Sequence, residues 1–158
     1  MTTAQKLAEL RAALKRHNLF AYVIPNTDPH QSEYISAHWQ TLAWFSGFTG
    51  SAGNLVITRD FAGLWTDSRY FLQAETQLAG SGIELMKLNV PHTPEYLDWI
   101  SEHAPEEARI GLNGQMFSVA GVRNMKKAFA AKSLKVMQVG DLTAETWKDR
   151  PAIPGENI

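Results

Sequence analysis

The sequence predicts an α/β domain: a mixed, mostly parallel sheet with helices on both of its faces. Three observations carry that prediction. Segments of helical and of strand periodicity alternate along the chain, the pattern of parallel strands joined by helical crossovers. The alternation breaks once, where two apolar runs flank Arg59-Asp60 with no helix-length segment between them, so one neighbouring pair is a hairpin. The run FAYVI at 20–24 has no polar alternation, as an interior strand buried on both faces requires.

Element by element, Thr2 and Gln5 form a capping-box pair, and Leu7, Leu10 and Leu14 follow on one helical face. Asn18 suits the helix stop because it tolerates the left-handed conformation. The strand at 20–24 ends at Pro25. Ile35, His38, Trp39, Leu42 and Phe45 share a turn-spaced face, so a helix is predicted over 33–45. The hairpin strands fall at 54–58 and 62–66, and Ala74 and Leu78 place the next helix against them. A strand is expected over 83–88. Thr93 is expected to cap a helix with Pro94 at its first position, ended by Pro105. A short strand at 109–112 follows. Ser118 caps a helix with Val122, Met125 and Phe129 inward and Lys126, Lys127 and Lys132 outward, before a last strand at 134–139. Asp141 is expected to open a final helical turn. Residues 1–147 read as the domain, and KDRPAIPGENI at 148–158 reads as a linker or tail, being polar and interrupted by proline.

A chain of 158 residues fits one domain with a sizeable core. The formal net charge of −1 provides no global field for nucleic acid or an anionic membrane. The chain has no cysteine, which excludes disulfides, thiolate metal sites and thiol nucleophiles. No apolar run approaches membrane-spanning length and no signal-peptide pattern is present, so the expectation is a cytoplasmic protein.

The most informative stretch is 44–74, WFSGFTGSAGNLVITRDFAGLWTDSRYFLQA. Gly47, Gly50 and Gly53 lead into the hairpin; Asp67 and Ser68 then open a helix whose first turn carries Arg69. SGFTGSAG followed by LWTDSRYFLQA resembles the N-terminal domain of aminopeptidase P, the manganese-dependent Xaa-Pro aminopeptidases of the creatinase/prolidase metallopeptidases. DPHQSEY at 28–34, ELMK at 84–87, TPEYLDWI at 93–100 and the late LTAETWKDRPAIP extend the resemblance to residues 7–154. It implies a creatinase N-terminal fold with a topology related to ribonuclease H. It also implies that the domain breaks no bond itself. The full protein would remove the N-terminal residue from short peptides with proline second, as a homodimer. Two manganese ions, held by two aspartates, a histidine and two glutamates, would belong to a C-terminal domain following this chain. Arg69 would reach toward the peptidase cleft and help bind substrate. Ser68 stands where that motif usually has glycine. The rival reading is a stand-alone peptide- or protein-binding module without peptidase activity.

Read from residues alone, Arg69 has two roles open to it. A cation in a first helical turn opposes the helix dipole, so Asp67 can hold it as a local pair at the junction, or the guanidinium can serve a ligand. Asp28-x-His30-x-x-Glu33 is the one metal-like grouping, and it has fewer converging ligands than a hard ion needs; Asp28 reads as the organiser of a turn. The glycine loop runs into a strand and lacks a phosphate-loop pattern, and Ser51 is not in a nucleophile elbow. A nuclease reading fails because the run at 20–24 contains no carboxylate. The predicted sites are therefore Arg69 for substrate, and no catalytic or metal-binding residue in this chain.

Overall fold

The computed structural model describes residues 1–155; residues 156–158 of the expected tail lie outside the described residues. The capping box between Thr2 and Gln5 opens α1 (Thr3–Arg16), which buries Leu7, Leu10 and Leu14. Asn18 follows its end with a φ of 52°. Next come β1 (Ala21–Pro25), α2 (Thr41–Ser46), the hairpin β2 (Asn54–Thr58) and β3 (Ala62–Thr66), and α3 (Phe71–Leu78). The chain continues through β4 (Glu84–Lys87), α4 (Glu95–His103), β5 (Arg109–Leu112), α5 (Val119–Phe129) and β6 (Lys135–Gln138).

The strands form one sheet in the order β4-β3-β2-β1-β5-β6. The pairs β1–β5, β3–β4 and β5–β6 are parallel; β1–β2 and β2–β3 are antiparallel. This is the mixed, mostly parallel α/β fold that the alternation predicts. Strand periodicity divides the core between the two faces. Tyr22, Ile24, Leu55, Ile57 and Leu64 pack under α1, α2 and α3. Ala21, Val23, Val56, Trp65, Ile110 and Leu112 pack under α4 and α5. Every residue of β1 is buried, as an interior strand covered on both sides must be.

Three local expectations are corrected. The helix predicted over 33–45 is a 3-10 turn at Ala37–Trp39 followed by α2. The break lies at Gln40, whose backbone leaves the helical region at φ −79° and ψ 50° and whose Nε2 donates back to the Ile35 carbonyl at 2.8 Å. Before the predicted span, the Oδ1 of Asp28 accepts the amides of His30 at 2.8 Å and Ser32 at 3.0 Å and closes a side-chain turn. Thr93 does not cap α4: its hydroxyl donates to the carbonyl of Val90. The Glu95 carboxylate instead gathers the amides of Asn89 and Val90, and the helix begins one residue late. Lys132 does not stand free on a solvated face, because its ammonium donates to the carbonyls of Glu102 and Ala104 at the end of α4. Asp141 accepts the amide and hydroxyl of Thr143 and opens a single helical turn, as expected, which the Trp147 amide closes on the Thr143 carbonyl at 2.9 Å.

The segment expected to leave the domain stays on it as far as Pro151. Trp147 stacks on Trp44 with ring centroids 4.9 Å apart. The Arg150 guanidinium lies over Trp147, 4.8 Å from its centroid. Arg150 donates Nε to the carbonyl of His38 at 2.8 Å and pairs with Asp141 through Nη1.

Candidate functional site

A cleft of about 450 Å³ opens at the carboxyl edge of the parallel strands. Pro25 at the end of β1, Thr66-Asp67 at the end of β3, and Leu88 and Met116 beyond β4 and β5 form its walls. Open α/β sheets bind ligands at this edge, because strands and helix starts converge there while the loops remain free to vary. Tyr96, whose phenol burial pushes up to about 12, also lines the cleft.

Asp67 is the buried charge of this edge, with 2% of its surface exposed. It caps the 3-10 turn Ser68–Tyr70 by accepting the Arg69 amide at 3.1 Å. The same carboxylate receives Arg69 Nε and Nη2, each at 2.9 Å, in a two-pronged fork. These side-chain bonds, helped by the Arg69 amide and charge, hold the Asp67 carboxyl below the ordinary range against the opposing effect of burial. A buried carboxylate thereby gains its counterion while the first-turn cation is offset.

The fork leaves Arg69 accessible. Its side chain is 56% exposed, against 3% for that of Asp67. The guanidinium also lies over the Tyr70 ring, 5.1 Å from its centroid, and Tyr70 shares a hydrogen bond with Ser51 of the glycine loop. That loop is built for close approach: a Cβ on Gly50 would stand 2.3 Å from Phe48 Cζ. Gly47, with φ 79°, ends α2 in the left-handed conformation. The loop thus supports the aromatic wall on which Arg69 rests. Ser51 contributes a hydroxyl to that wall.

The Asp28, His30 and Glu33 side chains do not converge. Asp28 is buried and committed to backbone amides, whereas His30 and Glu33 are exposed. Among the described residues, no three histidine, aspartate or glutamate side chains group as a metal site.

The creatinase/prolidase N-terminal domain family matches residues 6–150. The chain belongs to that family. Aminopeptidase P2 of Arabidopsis thaliana is 40% identical over 159 residues, a span that covers 98% of this chain and 22% of the relative. Xaa-Pro aminopeptidase 2 of Rattus norvegicus is 35% identical, covering 100% of the chain and 23% of the relative. The crystal structure of X-prolyl aminopeptidase from Caenorhabditis elegans, described as a cytosolic enzyme with a di-nuclear active site, superposes with a TM-score of 0.89. It is 33% identical, over 99% of this chain and 27% of that one. The chain spans about a quarter of the length of these relatives. It is a creatinase-type N-terminal domain of Xaa-Pro aminopeptidase-like proteins.

Sequence reasoning located Arg69 and its tie to Asp67. It missed the cleft, whose lining comes from loops far apart in the chain, and the docking of Trp147 and Arg150. The signal for that docking was present: a tryptophan at the end of the predicted domain, an arginine three residues on in the polar tail, and an aspartate nine residues before the arginine.

Proposed function

We propose that this chain is the non-catalytic N-terminal domain of a metallopeptidase that removes the N-terminal residue from peptides with proline second. The observation that carries the proposal is the Asp67–Arg69 fork. It holds one guanidinium on Asp67, a residue of the cleft wall, with Nε and Nη2 committed and the side chain more than half exposed. A guanidinium so oriented is ready to bind a peptide carbonyl or carboxylate, and its orientation is set before the ligand arrives. The domain restricts the cleft to short peptides and contributes Arg69 to their binding. Residues 148–158 lead toward a following domain, where two manganese ions would activate a water as the nucleophile; the full protein acts in the cytoplasm as a homodimer. None of the residues described above favours the rival module without peptidase activity, and the similar relatives are named as aminopeptidases.

The test uses this chain joined to the remaining length that its relatives possess. Arg69→Ala raises KM roughly tenfold or more, as loss of a hydrogen bond to a charged group does, with kcat and metal content unchanged. Lysine restores binding in part, since it carries the charge without the fork. The chain by itself hydrolyses no Xaa-Pro peptide, with or without manganese. Kinetics of Arg69→Ala equal to wild type would reduce the fork to a structural pair.

A further inference from the structure

The sheet edge opposite Arg69 carries a second cleft, of about 470 Å³. It lies where β1 and β5 begin, between residues 18–20, the hairpin turn at 58–60, and residues 105 and 107–109. Its walls are tied to the sheet. The Phe20 amide donates to the Arg109 carbonyl at 2.8 Å, and the Thr58 amide to the Phe61 carbonyl at 2.8 Å. Arg11 Nε holds the Thr58 carbonyl at 3.0 Å. This volume lies within the range of roughly 300–1,000 Å³ typical of small-molecule sites.

The chemistry of the cleft is unbalanced. Leu19, Phe20, Pro105 and Ala108 give it an apolar lining, and two arginines, Arg59 and Arg109, also line it. Neither arginine joins an ion pair among the described residues. Arg109 Nε is buried with no hydrogen-bond partner, a costly state that native structures rarely leave without an acceptor. Arg11 and Lys15 line an adjoining groove with Arg59 and strengthen the positive potential that draws an anion in. Asp60 and Glu107 share the cleft with the arginines, so a multiply charged ligand meets repulsion that a single negative charge meets only weakly.

The geometry points to a binding site for a small organic acid: one carboxylate set against Arg59 and Arg109, with an apolar body on Phe20 and Pro105. Planar guanidinium groups match a carboxylate in both shape and charge. The site is independent of Arg69, which lies at the other end of the strands.

Titration of the 15N-labelled chain with phenylacetate at constant ionic strength tests this, read at the backbone amides and the arginine Nε–Hε signals. Phenyl phosphate and inorganic phosphate are titrated in parallel. Phenylacetate is expected to give saturable shifts at Phe20, Ala108 and Arg109 Nε, with a Kd of about 1 mM, the weak end of specific binding. Arg59 stands in an exposed turn, so Arg59→Ala leaves the fold intact and weakens phenylacetate binding about fivefold or more. Arg109→Gln abolishes the saturation, and Arg69→Ala leaves it unchanged, so failure here is separable from failure at the fork. Shifts that drift without saturating, an Arg59→Ala chain that binds as wild type, or tighter binding of phenyl phosphate than of phenylacetate would each overturn the assignment.

Discussion

Arg69 and Arg150 are each paired with an aspartate, yet the two sites treat their guanidinium groups in opposite ways. Arg150 is 14% exposed. Its Nη1 meets Asp141, Nε meets the His38 carbonyl and Nη2 meets the Thr41 hydroxyl. Its faces meet Trp147 and Trp39. Arg69 gives two nitrogens to one carboxylate and leaves more than half of its side chain in solvent. A guanidinium has five donors in a rigid fork. Where the fold occupies the fork from several sides, the arginine is a fastener; where one aspartate orients it and the rest stays open, it is held for something else.

The comparison is broken most forcefully at Trp147. Its ring is 7% exposed and continues the stack that runs from Lys6 over Trp44, across Trp147, to Arg150. Trp147→Ala removes the middle of that stack and leaves a cavity between α2 and the segment following Asp141. We expect a loss of about 3 kcal/mol, in the range for large aromatic truncations in cores, measured by urea denaturation. A variant as stable as wild type would mean that the segment beyond β6 rests on the domain without holding it.

Arg150→Ala is the next largest. It strips Asp141, itself 20% exposed, of its counterion and frees the His38 carbonyl. The expected cost is about 2 kcal/mol, below that of a fully buried pair because solvent reaches both partners. Arg150→Lys recovers only part of it, since an ammonium cannot fill three directions and two ring faces at once. Full recovery by lysine would show that charge alone holds the segment.

These two sites also show what could be read from the sequence. The hairpin strands at Asn54–Thr58 and Ala62–Thr66 and the strand at Arg109–Leu112 fall where the apolar runs place them, because burial on a pleated sheet leaves a period that local sequence displays. Arg69 was legible for the same reason: its partner Asp67 is two residues away, and both belong to one helix start. Arg150 was not. Its partners Thr41 and His38 are more than a hundred residues earlier, so proline and charge near the chain end favoured a linker reading. The helix expected over 33–45 is interrupted at Gln40, where the backbone leaves the helical region and the side-chain amide takes the Ile35 carbonyl. Tertiary partners and side-chain-closed turns have no period to find.

The smallest effect separates the two arginines by acid. Burial pushes the Asp141 carboxyl up, but hydrogen bonds from Thr143 and Arg150 outweigh it and leave the group below the ordinary range. Asp67 lies below that range chiefly through the Arg69 bonds. A carboxyl depressed in the folded state contributes stability that is fully present above its unfolded pKa of about 3.9. That contribution is lost as pH falls through the lower folded value. Both pairs therefore weaken only below about pH 4, and neither adds a pH dependence near neutrality. Carboxyl carbon shifts followed by NMR during acid titration distinguish them. In Arg69→Ala the Asp67 midpoint moves up and the Asp141 midpoint stays, since of the two carboxylates the altered residue touches only Asp67. In Arg150→Ala the Asp141 midpoint moves up, but less completely, because the amide and hydroxyl of Thr143 remain bound to it. An Asp67 midpoint unmoved by loss of Arg69 would show that the fork does not form in solution. The oriented guanidinium on which the substrate-binding reading depends would then be absent.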